Sequence, residues 1–388
     1  MTGGIAINNG LLIANIAGAL GTSANTTTFG GGNLELRGGS LTFTGKLDLS
    51  GANQTIFINR GAAGTGVTNI VSGGSVIGGR TTTISSAGSP TIDTAYGLTF
   101  STNTATLTGN QTFTINGNGT GIGTLTFSGG FDTQGATRTL TFNNGTGTSA
   151  AVVSGAFTGT AGTLELAGTT PTVTIGSLTG ATAHALQLSG SGTYNLNGTS
   201  TFTGGVILNN ASATYNVTAG GALGIGGKAK FNVGGVALNL RNTGNLSFTS
   251  GMDSTVNGGS IVIDRGSASA TATTHTLSSA NALGTNTVNV SAGSNITAGT
   301  AYGLILSGTS VLSGNPTFTI NGNGGGVGTL TLSGGYDTGG VNRTLTFNGG
   351  TSVAVISGVF TGTASTLDLA GTTPTVTIGS LTGATAHA

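Results

Sequence analysis

The sequence predicts an all-β protein, a parallel β-helix (β-solenoid) built from two tandem units of about 204 residues. Three observations predict this fold: short segments that alternate apolar and polar residues, glycine-rich turns between them, and a long internal repeat. No segment shows the 3.6-residue periodicity of an amphipathic helix. The chain is therefore expected to consist of strands and turns throughout.

Strands are indicated by short segments in which every second residue is apolar. Residues 124–127 (TLTF), 139–142 (TLTF) and 172–175 (TVTI) show the pattern, with Thr at the alternate positions. This period of two is typical of a strand that is buried on one face. Steps such as Gly-Gly, Asn-Gly and Ser-Gly separate the segments and favour turns.

The internal repeat is visible at both ends of the chain. Residues 2–9 (TGGIAINN) match residues 203–210 (TGGVILNN), and the run at 169–185 (TTPTVTIGSLTGATAHA) recurs unchanged at 372–388. Self-similarity of this kind indicates stacked structural units.

The same alignment predicts a first β-solenoid unit over residues 1–201. A second unit over residues 202–388 is truncated at its C-terminal end. Residues at matching positions, such as Tyr96 and Tyr302, are expected to have equivalent environments in the two units.

Two all-β architectures produce regular short strands. A β-sandwich normally adds aromatic core anchors and longer Greek-key connections. A β-solenoid stacks its coils about 4.8 Å apart and places small residues at the corners. The composition favours the solenoid, with about 20 to 24 residues per coil.

Formal charges are rare, since the 388 residues include 10 Lys and Arg and 9 Asp and Glu, with a net charge of +1. A chain so close to neutral lacks the basic surface that attracts nucleic acid or anionic lipid, so we expect no nucleic-acid partner. The chain has no Cys. This excludes disulfides, thiolate metal ligands and cysteine nucleophiles.

Residues 1–20 are apolar, but they contain no Lys or Arg and they belong to the repeat. A secretory signal has a basic region before its apolar stretch. We therefore expect neither a signal nor an anchor in this segment, and no membrane span. Because both ends cut through the repeat, the sequence predicts a window from a longer array.

The acidic residues are scattered, and no two lie within ten positions of each other. A catalytic cleft for polysaccharides needs grouped carboxylates, so we interpret these acids as solvated surface charges. The sequence therefore predicts no catalytic, cofactor-binding or metal-binding residues and no enzyme. The nine acids are Glu35, Asp48, Asp93, Asp132, Glu165, Asp253, Asp264, Asp337 and Asp368.

The histidines have no second metal ligand at a suitable spacing. His184 and His387 occupy matching Ala-His-Ala positions, and His275 stands alone. All three are expected at the surface or in turns. A glycine-rich stretch at 222–229 (ALGIGGKA) lacks the leading Gly and the final Ser or Thr of a phosphate loop.

Residues 199–209 (TSTFTGGVILN) and 123–129 (GTLTFSG) resemble the autotransporter-associated β-strand repeats of large bacterial surface proteins. The resemblance implies a right-handed parallel β-helix exported to the cell surface, with no catalytic residues to carry over. The 204-residue unit is longer than the spacing of that family, and the C-terminal membrane barrel of the family is absent from this sequence.

We therefore expect a structural repeat module of a giant extracellular bacterial surface protein that forms a stalk, filament, sheath or surface layer. Self-association is expected head to tail, through the ends of the solenoid. The alternative is an adhesin passenger region that binds glycans or a host or abiotic surface. A polysaccharide-active enzyme, or an ice-binding solenoid suggested by the Thr-x-Thr pairs, ranks lower.

Overall fold

The computed structural model of the chain shows an all-β fold, with 40 strands and no helix among the residues it describes. The contacts divide the chain into two compact units, Met1–Tyr194 and Asn195–Ala388. The boundary that the repeat predicts, between residues 201 and 202, remains a prediction. The described residues are 3–88, 91–92, 94–101, 103–170, 172–180, 183–361, 365–372 and 375–383.

The first unit contains twenty complete strands of two to ten residues. They are β1 (Ile5–Ile7), β2 (Leu11–Ala14), β3 (Thr26–Phe29), β4 (Asn33–Arg37), β5 (Thr42–Phe43), β6 (Lys46–Asp48), β7 (Gln54–Asn59), β8 (Val67–Val71), β9 (Ser75–Ile77), β10 (Thr81–Ser86), β11 (Tyr96–Phe100), β12 (Ala105–Leu107), β13 (Gln111–Ile115), β14 (Gly123–Phe127), β15 (Gly130–Asp132), β16 (Arg138–Asn144), β17 (Ser149–Thr158), β18 (Thr163–Ala167), β19 (Thr172–Thr179) and β20 (Ala185–Leu188).

The remaining strands begin with β21, which spans the boundary along the chain. They are β21 (Thr193–Leu196), β22 (Val206–Leu208), β23 (Thr214–Val217), β24 (Lys228–Phe231), β25 (Val236–Arg241), β26 (Leu246–Phe248), β27 (Gly251–Asp253), β28 (Gly259–Asp264), β29 (Thr273–Leu277), β30 (Asn281–Leu283), β31 (Thr287–Ala292), β32 (Tyr302–Leu306), β33 (Ser310–Leu312), β34 (Thr317–Ile320), β35 (Gly328–Leu332), β36 (Tyr336–Asp337), β37 (Arg343–Asn348), β38 (Ser352–Thr361), β39 (Leu367–Gly371) and β40 (Thr375–Gly383).

The strands of each unit are stacked in parallel, which confirms the predicted β-solenoid. In the first unit, β11 pairs with β8 of the preceding turn and with β14 of the following turn, both in parallel. In the second unit, β32 pairs in the same way with β29 and β35. The chain alternates between two sheets in each unit, and the core lies between them.

The number of residues per turn varies more than expected. Thr26 is paired with Lys46, a separation of 20 residues, whereas Thr287 is paired with Thr317, a separation of 30. The estimate of 20 to 24 residues is therefore wrong for the longer turns. These turns place two strands on one sheet with a bend between them, as β8 and β9 do, and the additional strand accounts for the extra residues.

Inward side chains form ladders of similar residues from turn to turn. Leu34, Ile56, Ile84 and Ile115 occupy one column of the first unit, and each is completely buried. Because neighbouring strands lie about 4.8 Å apart, side chains in one column are in van der Waals contact. A column therefore contributes apolar burial at every turn.

A cluster of five phenylalanines packs together in the core of the first unit. Phe127 lies at its centre, and its ring is stacked on Phe100 with 5.1 Å between centroids. Phe113, Phe131 and Phe142 contact it at centroid distances of 5.5 to 6.4 Å. In the second unit the position of Phe127 is occupied by Leu332, which is also buried.

One corner requires glycine in both units. Gly168 has a φ of +108° and Gly371 has a φ of +120°. A Cβ atom at Gly168 would overlap the carbonyl oxygen of Phe142, and one at Gly371 would overlap that of Phe347. The close approach of two turns, together with the left-handed backbone, therefore explains why glycine occupies both corners.

Matching tyrosines have matching environments, as the alignment predicts. The Tyr96 hydroxyl lies 3.0 Å from the carbonyl oxygen of Ile84, and the Tyr302 hydroxyl lies 2.9 Å from that of Val290. Each hydroxyl also contacts a second carbonyl oxygen. Burial raises the pKa of both phenols above the ordinary value, so both are neutral hydrogen-bond donors at neutral pH.

Substitution of Phe127 tests the aromatic cluster. Phe127→Ala removes the central ring and is expected to lower the free energy of unfolding by about 3–5 kcal/mol. Phe127→Leu introduces the residue of the second unit and is expected to cost less than half as much. Urea denaturation followed by circular dichroism measures both, and equal losses for the two variants would contradict the packing described.

Candidate functional site

Four aspartates cap turns instead of facing solvent freely. In each case Oδ1 accepts the backbone N–H of the residue two positions further along the chain, at 2.8 to 3.0 Å. Side chains in this arrangement stabilise the turn that follows a strand. The four pairs are Asp48 with Ser50, Asp132 with Gln134, Asp253 with Thr255 and Asp337 with Gly339.

Glu35 lies in a buried polar cluster of the first unit. It is 4% exposed, and its Oε1 accepts hydrogen bonds from Arg37 Nε and Asn59 Nδ2, both at 2.6 Å. The hydrogen bond to this carboxylate raises the pKa of Arg37. The interpretation of Glu35 as a solvated charge is therefore wrong, because the guanidinium and the amide replace the water that burial removes.

Asp264 is the corresponding buried carboxylate of the second unit. It is 1% exposed, and its Oδ2 lies 2.7 Å from Arg241 Nη2. Its Oδ1 accepts the backbone N–H of Asn295 at 2.9 Å. The expectation of a solvated charge is wrong here too, because an arginine and a backbone amide compensate the buried carboxylate.

The carboxylate and an amide have exchanged places between the two units. Glu35 and Asn59 of the first unit align with Asn239 and Asp264 of the second. Each unit therefore keeps one acid and one amide at these two positions, while the aligned Arg37 and Arg241 pair with the acid of their own unit. The exchange conserves charge in both clusters.

The described histidines are buried, so their predicted placement at the surface is wrong. His184 is stacked on Phe157 at 5.0 Å, and its Nδ1 accepts the backbone N–H of Gly162. His275 Nδ1 accepts the backbone N–H of Leu246, and its Nε2 lies 3.0 Å from the carbonyl oxygen of Asp264. Both imidazoles satisfy backbone groups in the interior.

His387 and Asp93 lie outside the described residues.

Asn69 has the position in the first unit that His275 has in the second. Its Oδ1 accepts the backbone N–H of Leu41 at 2.9 Å, as His275 Nδ1 accepts that of Leu246. Asn and neutral His thus perform the same structural task. Burial lowers the pKa of His275, with smaller opposing contributions from Asp264, which favours the neutral ring that this task requires.

Glu165 organises a half-buried network of neutral groups. It accepts hydrogen bonds from Thr139 Oγ1 at 2.8 Å, from Gln187 Nε2 at 3.0 Å and from the Ser189 hydroxyl. The aligned Asp368 of the second unit is exposed. No group of three or more His, Asp and Glu that could hold a metal ion occurs among the described residues.

Outward threonines form short ladders. Thr81, Thr112 and Thr141 are register partners on three successive turns, after which Ala167 ends the column. The Thr-x-Thr pairs therefore do face outward together, but this ladder is three turns long. The remaining outward positions are mostly Thr, Ser and Asn, so the sheet faces are polar and nearly uncharged.

A groove of about 350 Å³ on the second unit is lined by two lysines and one aspartate, Lys228, Lys230 and Asp253. The chain contains only one other lysine, Lys46. Sequence analysis did not predict this groove, because its residues come from separate strands that only the register brings together. The alternation Lys228-Ala229-Lys230 is the signal that both ammonium groups face outward.

Comparison with known proteins gives no relative for this chain. No protein-family model matches it, no curated protein matches it, and no solved structure matches it. In the described part of the chain, no helix is long and apolar enough to cross a membrane.

Removal of Arg241 tests the buried ion pair. Arg241→Met leaves the Asp264 carboxylate uncompensated in the interior, and we expect it to lower the free energy of unfolding by about 3–5 kcal/mol. Adding Asp264→Asn, which copies Asn59 of the first unit, is expected to restore part of the loss. Arg80→Met at an exposed position serves as the control and is expected to change stability by less than about 0.5 kcal/mol. Equal effects of Arg241→Met and Arg80→Met would contradict the account.

The buried imidazole predicts an acid-dependent loss of stability. The pKa of His275 is lowered in the folded chain, whereas the pKa of a histidine in the unfolded chain is about 6.5. As the pH falls below about 6.5, the unfolded state takes up a proton that the folded state resists, so stability falls until the folded pKa is reached. His275→Asn retains a hydrogen-bond acceptor for the backbone N–H of Leu246 but introduces no group that takes up a proton in this pH range.

We expect the urea midpoint of the parent chain to fall more steeply between pH 7.5 and pH 5 than that of His275→Asn. Identical pH profiles would contradict the burial of a neutral imidazole.

Proposed function

We propose that the chain is a structural repeat module of an extracellular bacterial surface protein that forms a stalk, filament, sheath or surface layer. The observation that carries the proposal is the parallel hydrogen-bonded ladder that runs through the turns of each unit. A ladder of this kind grows in one direction, because each turn stacks on the one before it. A long, narrow and stiff element is the natural product of such growth.

The distribution of side chains supports the same role. The inward columns consist mainly of bulky apolar residues, whereas the outward columns are mostly polar with few charges and some exposed apolar side chains such as Val311. The exchange between Glu35 and Asp264 keeps the interior neutral in both units. This distribution of side chains supports a structural role in which the turns stack without interruption.

Self-association through the ends of the solenoid belongs to this proposal. In the last described strand, Val376 is 38% exposed and Ile378 is 56% exposed. The aligned residues of the first unit, Val173 and Ile175, are buried at 3% and 1%. The same side chains are thus buried in the first unit and accessible on the last described strand, and any turn stacked on that strand, from a continuation of the chain or from a second copy, would bury them.

Disruption of the exposed strand tests the association. The double variant Val376→Lys/Ile378→Lys places charges where a neighbouring turn would stack, and it is expected to abolish assembly. Val311→Lys, on an exposed outward position, is the control and is expected to assemble like the parent. Sedimentation velocity and electron microscopy at tens of micromolar measure the outcome. A monomeric parent chain, or a double variant that still forms fibres, would contradict the proposal.

A second candidate function is an adhesin region that binds glycans. One observation favours it, the lysine-lined groove of the second unit.

A further inference from the structure

We infer that the groove around Lys228 and Lys230 is a binding site for an acidic saccharide, in which the two ammonium groups hold carboxylates of a polyuronate. The inference rests on the second candidate function and names its ligand class. It does not depend on the association of chains, which is tested separately by sedimentation.

The two lysines point to the same side of the solenoid. They stand at alternate positions of β24, so their side chains share the outward face, while Ala229 between them is buried. Alternate residues of a strand are about 6.6 Å apart. Both lysines are half-buried, so the surrounding surface already restricts their side chains.

No described carboxylate forms an ion pair with these ammonium groups. Lys230 is the register partner of Asp253, but the only ion pairs of the described residues involve Arg37 and Arg241. Asp253 Oδ1 is occupied by the backbone N–H and the hydroxyl of Thr255, at 2.9 and 2.6 Å. The lysines are therefore available to a ligand, and Asp253 Oδ2 remains to accept a sugar hydroxyl.

The rest of the groove suits a sugar ring better than a bare anion. Ile207, the register partner of Lys230, provides an apolar surface, and Thr203 adds an exposed hydroxyl. Gly226 and Gly227 line the groove with backbone only. Apolar surface beside a few placed polar groups is typical of small-molecule sites, and a pyranose ring offers both C–H faces and hydroxyls.

The first unit provides an internal comparison. At the positions of Lys228 and Lys230 it has Thr26 and Thr28, and at the position of Ile207 it has Ala6. Its single lysine, Lys46, is the register partner of Thr26. The paired ammonium groups and the apolar floor therefore occur in one unit of two, on the same backbone framework.

The matched threonines also make a mild substitution available. Lys228→Thr and Lys230→Thr introduce residues that the same strand position already accepts in the first unit, at Thr26 and Thr28. We expect the double variant to fold with an unchanged urea midpoint. Lys46→Thr removes a lysine outside the groove and is the control for the change of net charge.

Titration calorimetry with an oligogalacturonate at pH 7 and low salt tests the site. We expect one saturable site for each chain, weakened at least tenfold in Lys228→Thr/Lys230→Thr and unchanged within twofold in Lys46→Thr. Raising the salt from 50 to 300 mM is expected to weaken binding, because partly exposed charge pairs are screened. A neutral oligosaccharide of the same length is expected not to bind.

Other outcomes would overturn the inference. These are no saturable binding, an equal loss in Lys46→Thr, or inorganic phosphate that binds as tightly as the oligosaccharide. A sulfated oligosaccharide that binds more tightly than the oligogalacturonate would overturn the assignment of the ligand as a polyuronate. If the wild-type chain assembles but does not bind the oligogalacturonate, the adhesin function is wrong and the structural function is unaffected.

Discussion

Hydrogen bonding between successive turns is the constraint on which the rest of the structure depends. Each interior strand must donate to and accept from both neighbouring turns, because buried backbone groups are rarely left unpaired. The requirement fixes the register, and the register decides which side chains share a column. Ile56 therefore lies between Leu34 and Ile84, and the corner at Gly168 tolerates no Cβ.

The same register governs the polar groups of the interior. The buried carboxylate is neutralised by the aligned arginine whichever of the two positions holds the acid, since Arg37 pairs with Glu35 and Arg241 pairs with Asp264. Asn69 and His275 satisfy equivalent backbone amides with different chemistry. The two units thus differ in residue type at these positions, while the same backbone and arginine groups find a partner in both.

The fold was predictable because local residue patterns and the internal repeat both indicate it. Period-two alternation, glycine turns and the 204-residue repeat together predict stacked parallel strands, and the equivalence of Tyr96 and Tyr302 follows from alignment alone. Burial of Glu35 was not predictable, because its partner Asn59 is 24 residues away and only the register brings them together. His275 was misplaced for the same reason, since its partner Leu246 is 29 residues away.

The groove of the second unit was likewise predictable only in part. Alternation at β24 predicts that Lys228 and Lys230 face outward together. Their proximity to Ile207 and Asp253 depends on pairing with β22 and β27, which the sequence does not specify. Variable turn lengths, from 20 to 31 residues, prevent a simple extrapolation of the register from one turn to the next.

Cysteine cross-linking measures the register most directly, and the chain has no native cysteine to interfere. Thr81 and Thr112 are outward register partners on adjacent turns, whereas Thr141 lies one turn further on. Adjacent parallel strands are about 4.8 Å apart, within the Cα separation that a disulfide spans. The account predicts rapid oxidation of Thr81→Cys/Thr112→Cys and none of Thr81→Cys/Thr141→Cys. Equal rates for the two pairs would contradict it.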